Sequence, residues 1–164
     1  RLDPAYGGGG RQRAQRVIEI GLLTGRPLSW WQRQADEEGL MRPWYVRLTL
    51  PRPVLHRRIE QRAALMLKAG WVEEVRRLLA QGVAPDAPGL DGVGYREIVQ
   101  YLGGALGEAA LPQAIVISTR RYAKRQETWF RHQLVGQPVL TLDATDEPDQ
   151  LARTIIQRWE ERGA

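Results

Sequence analysis

Hydrophobic positions along most of the chain recur every three or four residues, which is the spacing of one face of a helix. Glycine and proline interrupt this spacing at regular points and mark predicted helix ends, as at Thr24-Gly25-Arg26-Pro27. Ser29 is predicted to cap the start of a short second helix. The pattern predicts helices at about 10–24, 29–35, 51–69, 72–81, 95–102, 112–133 and 146–162.

Two short segments follow a different period. Val46, Leu48 and Leu50 alternate with polar residues, which predicts a strand near 44–50, and residues 139–142 form a second apolar segment. Two strands alone do not make a stable sheet in water. They either pair with each other inside a helical shell or complete a sheet whose other strands lie outside this chain. The predicted class is therefore α-rich α/β with two short strands.

The amino-acid composition indicates which class of partner the chain binds. The chain has 164 residues, 24 Lys+Arg against 19 Asp+Glu, and a net charge of +5. Lysine occurs only at Lys68 and Lys124, so arginine supplies nearly all of the positive charge. This balance favours a polyanionic partner, either a nucleic acid or a phosphorylated small molecule, although an arginine-rich, merely solvated surface would have the same composition.

Several classes of site are excluded or disfavoured. The absence of cysteine excludes disulfides, thiolate zinc sites and a cysteine nucleophile. The two histidines are far apart in sequence, which disfavours a metal site, so no metal ligands are predicted.

No apolar run is long enough to span a membrane, and the start at Arg1 lacks a signal core and a Met. We expect a cytoplasmic chain that is a monomer, with Arg1 marking a cut in a longer chain or a processed start.

One arginine lies in an apolar stripe of the helix after Pro53. Leu55, Ile59, Arg62 and Met66 fall within about 60° of one another on a helical wheel. A guanidinium buried there needs an anion, because an unpaired buried charge is very costly. Glu73 or Glu74 could supply an internal salt bridge, or Arg62 could bind a phosphate or diphosphate.

The helix at 112–133 has a basic face, which we define as Arg120, Arg121, Lys124, Arg125 and Arg131. These cations span an arc of about 140°, and a face without acids is typical of contacts to nucleic-acid phosphates. A solvated cationic face is the alternative. The opposite side is predicted to be packed, and it holds Ile115, Thr119, Tyr122, Gln126, Trp129 and Phe130.

Motifs of nucleotide binding and of common catalysis are missing. The glycine run at 7–10 precedes Arg11 rather than Lys-Ser/Thr, so it is not a P-loop. There is no G-x-S-x-G and no pair of carboxylates spaced as a general acid and base. The residues by themselves indicate a basic, α-rich piece that binds RNA or phosphate without a complete active site.

Four segments, in order, resemble those of bacterial tRNA dimethylallyltransferases. The helix at 120–131 reads RRYAKRQETWFR and resembles the family's A-K-R-Q-x-T-W. Residues 12–28 resemble Q-R-x-x-R-A-L-E-V…T-G-x-x-L, residues 58–67 resemble R-I-x-x-R…M-L, and residues 93–96 resemble V-G-Y-[RK]. The resemblance covers nearly all of this chain but only the C-terminal part of such an enzyme.

The resemblance implies an activity and an architecture. These enzymes transfer the dimethylallyl group of dimethylallyl diphosphate to N6 of the adenosine 3′ of the anticodon, and the reaction requires Mg²⁺. Their core has a P-loop, the phosphate-binding loop of nucleotide-binding and ATP-binding proteins. Residues 1–42 would end the inserted helical domain that grips the tRNA anticodon arm, and residues 43–164 would be the C-terminal part of the core. The P-loop and the catalytic Asp would lie outside this chain, so the chain alone is expected to be inactive. A non-catalytic basic helical RNA-binding module remains the alternative.

The resemblance also implies roles for individual residues. Arg62 matches the arginine that binds the diphosphate. The positions that match tRNA-contacting segments are Gln12, Arg13, Arg16, Gly94, Tyr95, Arg96, Arg120, Lys124, Arg125, Gln126, Thr128, Trp129 and Arg131. Two departures weaken the match locally: Gly9-Gly10-Arg11 replaces the family's Asn-Asp turn, and the acidic Asp91 precedes V-G-Y.

Overall fold

The computed structural model describes residues 3, 7, 10–34 and 43–163, and most of them are helical. The elements are α1 (Arg11–Thr24), α2 (Leu28–Gln34), β1 (Tyr45–Thr49), α3 (Arg52–Lys68), α4 (Trp71–Ala80), α5 (Tyr95–Leu102), α6 (Leu111–Gln133), β2 (Val139–Asp143) and α7 (Pro148–Gly163). Short 3-10 turns occupy Pro88–Asp91 and Glu108–Ala110. The predicted end of the second helix at Ala35 and part of the glycine run lie outside the described residues. Within the described residues, no helix combines the length and hydropathy that a membrane crossing requires.

The chain divides into two compact units, Arg1–Pro43 and Trp44–Ala164. The first unit contains α1 and α2, and among its described residues Val17 is buried. The prediction that Ser29 caps α2 is wrong, because the helix already begins at Leu28 and Ser29 is buried within it. The carboxylate of Asp3 instead accepts a hydrogen bond from the Ser29 amide at 2.9 Å, so the capping group comes from a residue distant in sequence.

The core of the second unit is built by α3, α4, α5 and α6. Val75, Ile98 and Ile115 are almost completely buried, with Ile59, Ala63 and Trp71 packed in the same cluster. Each of these helices ends at or next to a glycine or a loop predicted from the sequence, so their bounds agree with the predicted ones within a few residues. This helical cluster is the scaffold for the residues described below.

The two strands pair with each other in parallel, from Tyr45 opposite Val139 to Thr49 opposite Asp143. The strands therefore pair with each other, as one of the two alternatives required, and both remain partly exposed. A parallel pair needs a long crossover connection, and here the four helices α3 to α6 supply it. The sheet has two strands among the described residues, so the observed class is helix-rich α/β.

Candidate nucleic-acid interface

The turn of residues 93–96 is held by close packing against α4. Gly94 has φ +94°, and a Cβ built on it would lie 1.9 Å from Cη2 of Trp71. Only glycine fits this position, because it tolerates the positive φ and leaves room for the indole. Tyr95 meets the same indole edge-on, with ring centroids 5.5 Å apart. Its hydroxyl donates to Oε1 of Glu74 at 2.7 Å, and this bond together with burial raises the pKa of Tyr95.

A buried carboxylate, that of Glu97, stabilises the same turn from the first turn of α5. Its Oε2 accepts the Gly94 amide at 2.7 Å, and its Oε1 accepts the Ser118 hydroxyl of α6 at 2.6 Å. Burial by itself raises the pKa of Glu97. The bonds from Ser118, the Gly94 amide and its own amide, with the charge of Arg96, nevertheless hold the pKa of Glu97 below its usual value. Glu97 is therefore a buried anion. The sequence analysis missed it, although Glu97 stands three residues after the cap Gly94, as in a capping box.

Arg96 is half-exposed and lies between two carboxylates. Its Nη1 is 3.6 Å from Oδ1 of Asp91, and its Nη2 is 3.6 Å from Oε1 of Glu97. Asp91 is mostly exposed, whereas Glu97 is buried. Asp91, where this chain departs from the family pattern, therefore lies beside Arg96 and partly neutralises its charge. The family resemblance implies that Arg96 contacts tRNA.

The basic face of α6 is only partly free of acids. Arg120 forms an ion pair with Glu60 of α3, and Arg131 lies 3.5 Å from Glu127 one turn earlier. The predicted face holds no acid of its own, but two of its cations have acidic partners outside it, one on the neighbouring α3 and one on α6 itself. Among the described residues Arg121, Lys124 and Arg125 make no ion pair, and Arg125 lies 5.8 Å from the centroid of the Tyr122 ring.

The aromatic side of α6 is more exposed than predicted. Tyr122, Trp129 and Phe130 are exposed by 46%, 56% and 40%, so the prediction that they form a packed face is wrong. The buried residues of α6, Leu111, Ile115 and Val116, lie near its start, and Ala123 packs partly against the same core. The second half extends past this core, which leaves its rings accessible.

A shallow groove of roughly 480 Å³ follows the exposed half of α6. Its lining contains cations, an indole and hydrogen-bonding groups, and none of these residues is acidic: Lys124, Arg125, Thr128, Trp129, His132 and Gln133. The Thr128 hydroxyl donates to the Lys124 carbonyl at 3.0 Å. Cations beside an exposed aromatic ring suit phosphate contacts and base stacking.

A larger cleft of roughly 950 Å³ lies between β1 and α6. Arg120, Lys124 and Gln126 contribute polar groups to it, and Phe130 contributes an apolar surface. Nε of Arg120 is buried there and has no hydrogen-bond partner among the described residues. Because the guanidinium already pairs with Glu60, Arg120 is held in place, and only part of its hydrogen-bonding capacity is available to a phosphate.

Arg62 does not lie in the buried stripe of α3. Its side chain is exposed, while Ile59 and Ala63 are the buried residues of the helix. The apolar stripe is centred on this i, i+4 pair, and Arg62 is about 100° away from Ala63. The alternative of an internal salt bridge is wrong, since Glu73 pairs with Arg76 and Glu74 accepts the Tyr95 hydroxyl. Arg62 makes no ion pair with any described residue.

The three predicted contact residues of α1, Gln12, Arg13 and Arg16, are all exposed. Arg16 lies 3.4 Å from Glu19, an exposed pair that contributes little to stability. These residues belong to the first compact unit, whereas the other predicted contact residues belong to the second. Within the second unit α5 joins the 93–96 turn to α6 through the bond from Ser118 to Glu97.

Exposed cations grouped along one helix are a feature of proteins that bind polyanions. The sequence profile of the family described as IPP transferase matches residues 7–133. The chain belongs to the IPP transferase family.

Individual relatives agree with this membership. The chain is 40% identical over 135 residues to a tRNA dimethylallyltransferase from Syntrophobacter fumaroxidans, covering 79% of this chain and 40% of the relative. It is 41% identical over 163 residues to one from Synechococcus sp. strain JA-3-3Ab, covering 94% and 46%. The chain thus spans less than half the length of these relatives.

The fold is similar to solved structures of the same family. A tRNA delta(2)-isopentenylpyrophosphate transferase from Staphylococcus epidermidis matches with a TM-score of 0.66 and 27% identity, over 94% of this chain and 49% of that one. A tRNA isopentenylpyrophosphate transferase from Bacillus halodurans matches with a TM-score of 0.65 and 29% identity, over 93% and 46%.

Proposed function

We propose that this chain forms the tRNA-binding and diphosphate-binding part of a tRNA dimethylallyltransferase. The complete reaction transfers the dimethylallyl group of dimethylallyl diphosphate to N6 of the adenosine 3′ of the anticodon. The observation that carries the proposal is the conjunction of family membership with the unpaired cations of α6, Arg121, Lys124 and Arg125. The cations of α6 and Arg96 would contact phosphates of the anticodon arm, and Trp129 would lie against a base.

Arg62 would bind the diphosphate. Its guanidinium is exposed and is not used by any acid among the described residues, so its donors are available. A planar guanidinium forms two parallel hydrogen bonds to a phosphate. As the bond between the dimethylallyl carbon and oxygen breaks, negative charge grows on the diphosphate, and a fixed cation there stabilises that charge.

The remaining parts of the reaction would be supplied outside these residues. Mg²⁺, which the family implies, would have most of its ligands outside this chain, and among the described residues no group of three or more His, Asp or Glu side chains could hold a metal ion. The sequence also contains no P-loop motif. We propose that residues 1–42 end an inserted helical domain and that residues 43–164 belong to a P-loop-type core.

The binding part of the proposal is tested on the chain itself. The 164-residue chain is titrated with a labelled anticodon stem-loop RNA at several salt concentrations, and the affinity is expected to fall steeply with salt. The double variant K124Q/R125Q is expected to reduce the salt slope by about two, one for each phosphate contact. R153Q on α7 removes one exposed arginine that has no ion pair among the described residues, and it is the control for loss of positive charge outside the basic face. Absence of RNA affinity at low salt would refute the proposal.

The catalytic part is tested in a chimera. This chain replaces the matching part of the Synechococcus relative, and dimethylallyl transfer to tRNA is measured. R62A in the chimera is expected to raise KM for dimethylallyl diphosphate and to lower kcat, while the Kd for the stem-loop stays unchanged. A chimera that binds RNA and the donor but never transfers the group would favour the alternative, a non-catalytic RNA-binding module.

A further inference from the structure

The carboxylate of Glu97 links two segments that the proposed function brings to the same RNA. One oxygen accepts the amide of Gly94, and the other accepts the hydroxyl of Ser118 in α6. Ser118 is two residues before Arg120 and within about two turns of Arg121, Lys124 and Arg125. The carboxylate is buried, so it is not itself available to RNA.

We propose that Glu97 is a positioning residue for RNA binding, which fixes the 93–96 turn to α6 and aims Arg96 at the phosphate backbone. This inference rests on the proposed function, since it assumes that the turn and α6 contact one RNA. It assigns a role to a pair, Glu97 and Ser118, that lies outside the predicted contact residues.

The geometry around Arg96 supports this role. The same Oε1 that accepts the Ser118 hydroxyl lies 3.6 Å from Nη2 of Arg96. The guanidinium is about half-exposed, so one side faces the buried carboxylate and the rest remains accessible. Because Gly94 is locked under the Trp71 indole and Glu97 holds its amide, the backbone that carries Arg96 has little freedom. A pre-positioned cation loses less conformational entropy when it binds.

The variant that tests this link is S118A, which removes the bond to α6 and keeps the bond from Glu97 to Gly94. T119A is its matched control, because the Thr119 hydroxyl donates to the Ile115 carbonyl of its own helix at 2.7 Å and joins no other element. S118T restores a hydroxyl and is the rescue variant. Each variant is titrated with the anticodon stem-loop RNA at several salt concentrations, well below its thermal midpoint.

We expect S118A to raise the Kd for the stem-loop about fivefold, because a less well positioned Arg96 loses more conformational entropy when it binds, and to lower the salt slope by less than one. T119A is expected to match the wild type, and S118T is expected to recover most of the affinity. A merely structural role would lower the thermal midpoint of S118A and leave both the Kd and the salt slope unchanged.

A double-mutant cycle with R96A tests whether the link acts through Arg96. If it does, S118A adds little to the Kd of R96A, because the cation that Ser118 and Glu97 position is already gone. Independent effects that multiply in the double variant would overturn the proposal. A wild-type chain that binds the RNA, with S118A equal to it, would overturn the positioning role alone. A wild-type chain without any RNA affinity would overturn the proposed function as well.

Discussion

Asp91 lies 3.6 Å from Arg96 and is mostly exposed, so its negative charge faces the same surface as the cation. We predict that D91N tightens binding of the anticodon stem-loop about two- to fivefold at low salt, and less at high salt where exposed charges are screened. The measurement is the Kd for the stem-loop at two salt concentrations.

D86N is the control for this change, because it alters the net charge equally at an exposed acid that makes no ion pair among the described residues. If D86N tightened binding as much as D91N, the effect would come from net charge rather than from the pair with Arg96. Weaker binding by D91N would mean that Asp91 orients Arg96 instead of competing with the RNA for it.

Gly94 offers a second test at a single residue. G94A forces a Cβ into the Trp71 indole and strains a backbone at φ +94°, so we predict a loss of about 3 kcal/mol in the free energy of unfolding. G104A is the control, since Gly104 has φ +78° but open space around a Cβ. It is expected to cost about 1 kcal/mol from backbone strain alone. Urea unfolding measures the free energy of unfolding of both variants. Equal losses of stability would show that the clash with the Trp71 indole adds nothing to the cost of backbone strain.

At the scale of elements, the start of α5 is stabilised by a charge that depends on pH. The pKa of Glu97 is lower in the folded state than its usual value, so its contribution to stability is present above the unfolded pKa and is lost as pH falls through the folded pKa. We predict that E97Q is less stable than the wild type by about 2 kcal/mol at neutral pH, from bonds lost to a charged acceptor. Urea unfolding across an acid pH series should show this difference shrinking as pH falls.

The control for the pH series is E108Q, which removes an exposed acid without an ion pair among the described residues. It is expected to follow the wild-type curve. If the difference in unfolding free energy between E97Q and the wild type were the same at all pH values, the packing of the Glu97 side chain, and not its charge, would account for its role.

The elements themselves were largely predictable, and the reasons differ from one to the next. The helices of the second unit were predictable because glycines and prolines mark their ends and because their apolar spacing is regular. The exposure of the second half of α6 was not predictable. A helical wheel shows which residues share a face, but it does not show how far along the helix the neighbouring core extends. Arg62 was misplaced for a related reason: Ala63, a small residue with little weight in an apolar pattern, is the one that packs.

The contact residues of the 93–96 turn were predicted from the family resemblance, but the groups that hold the turn were not. Trp71 and Ser118 are distant from it in sequence, and no local pattern indicates that an indole lies over Gly94 or that a hydroxyl reaches Glu97. Asp3 beside Ser29 is a similar case. Such contacts depend on the tertiary fold.

At the scale of the whole molecule, the division at Pro43 and Trp44 predicts that the second unit folds without the first. All members of the large core cluster, from Ile59 to Val116, belong to this unit. We expect residues 44–164 to unfold cooperatively with a thermal midpoint within about 5 °C of that of the full chain, because little of its core is lost. Circular dichroism melts of the two chains compare these midpoints, and a shortened chain without a cooperative transition would refute the prediction.

The parallel pairing of β1 with β2 has a consequence for the order of folding. The partners are separated by α3, α4, α5 and α6, so their contacts are the most distant in sequence among the paired elements. At a synthesis rate of roughly 5–20 residues per second, β1 leaves the ribosome on the order of five to twenty seconds before β2. The helices between them make closer contacts and can assemble during that interval. β1 therefore cannot pair with β2 until the four helices between them have been synthesised, and α7, whose Trp159 meets Trp44 beside β1, follows later still.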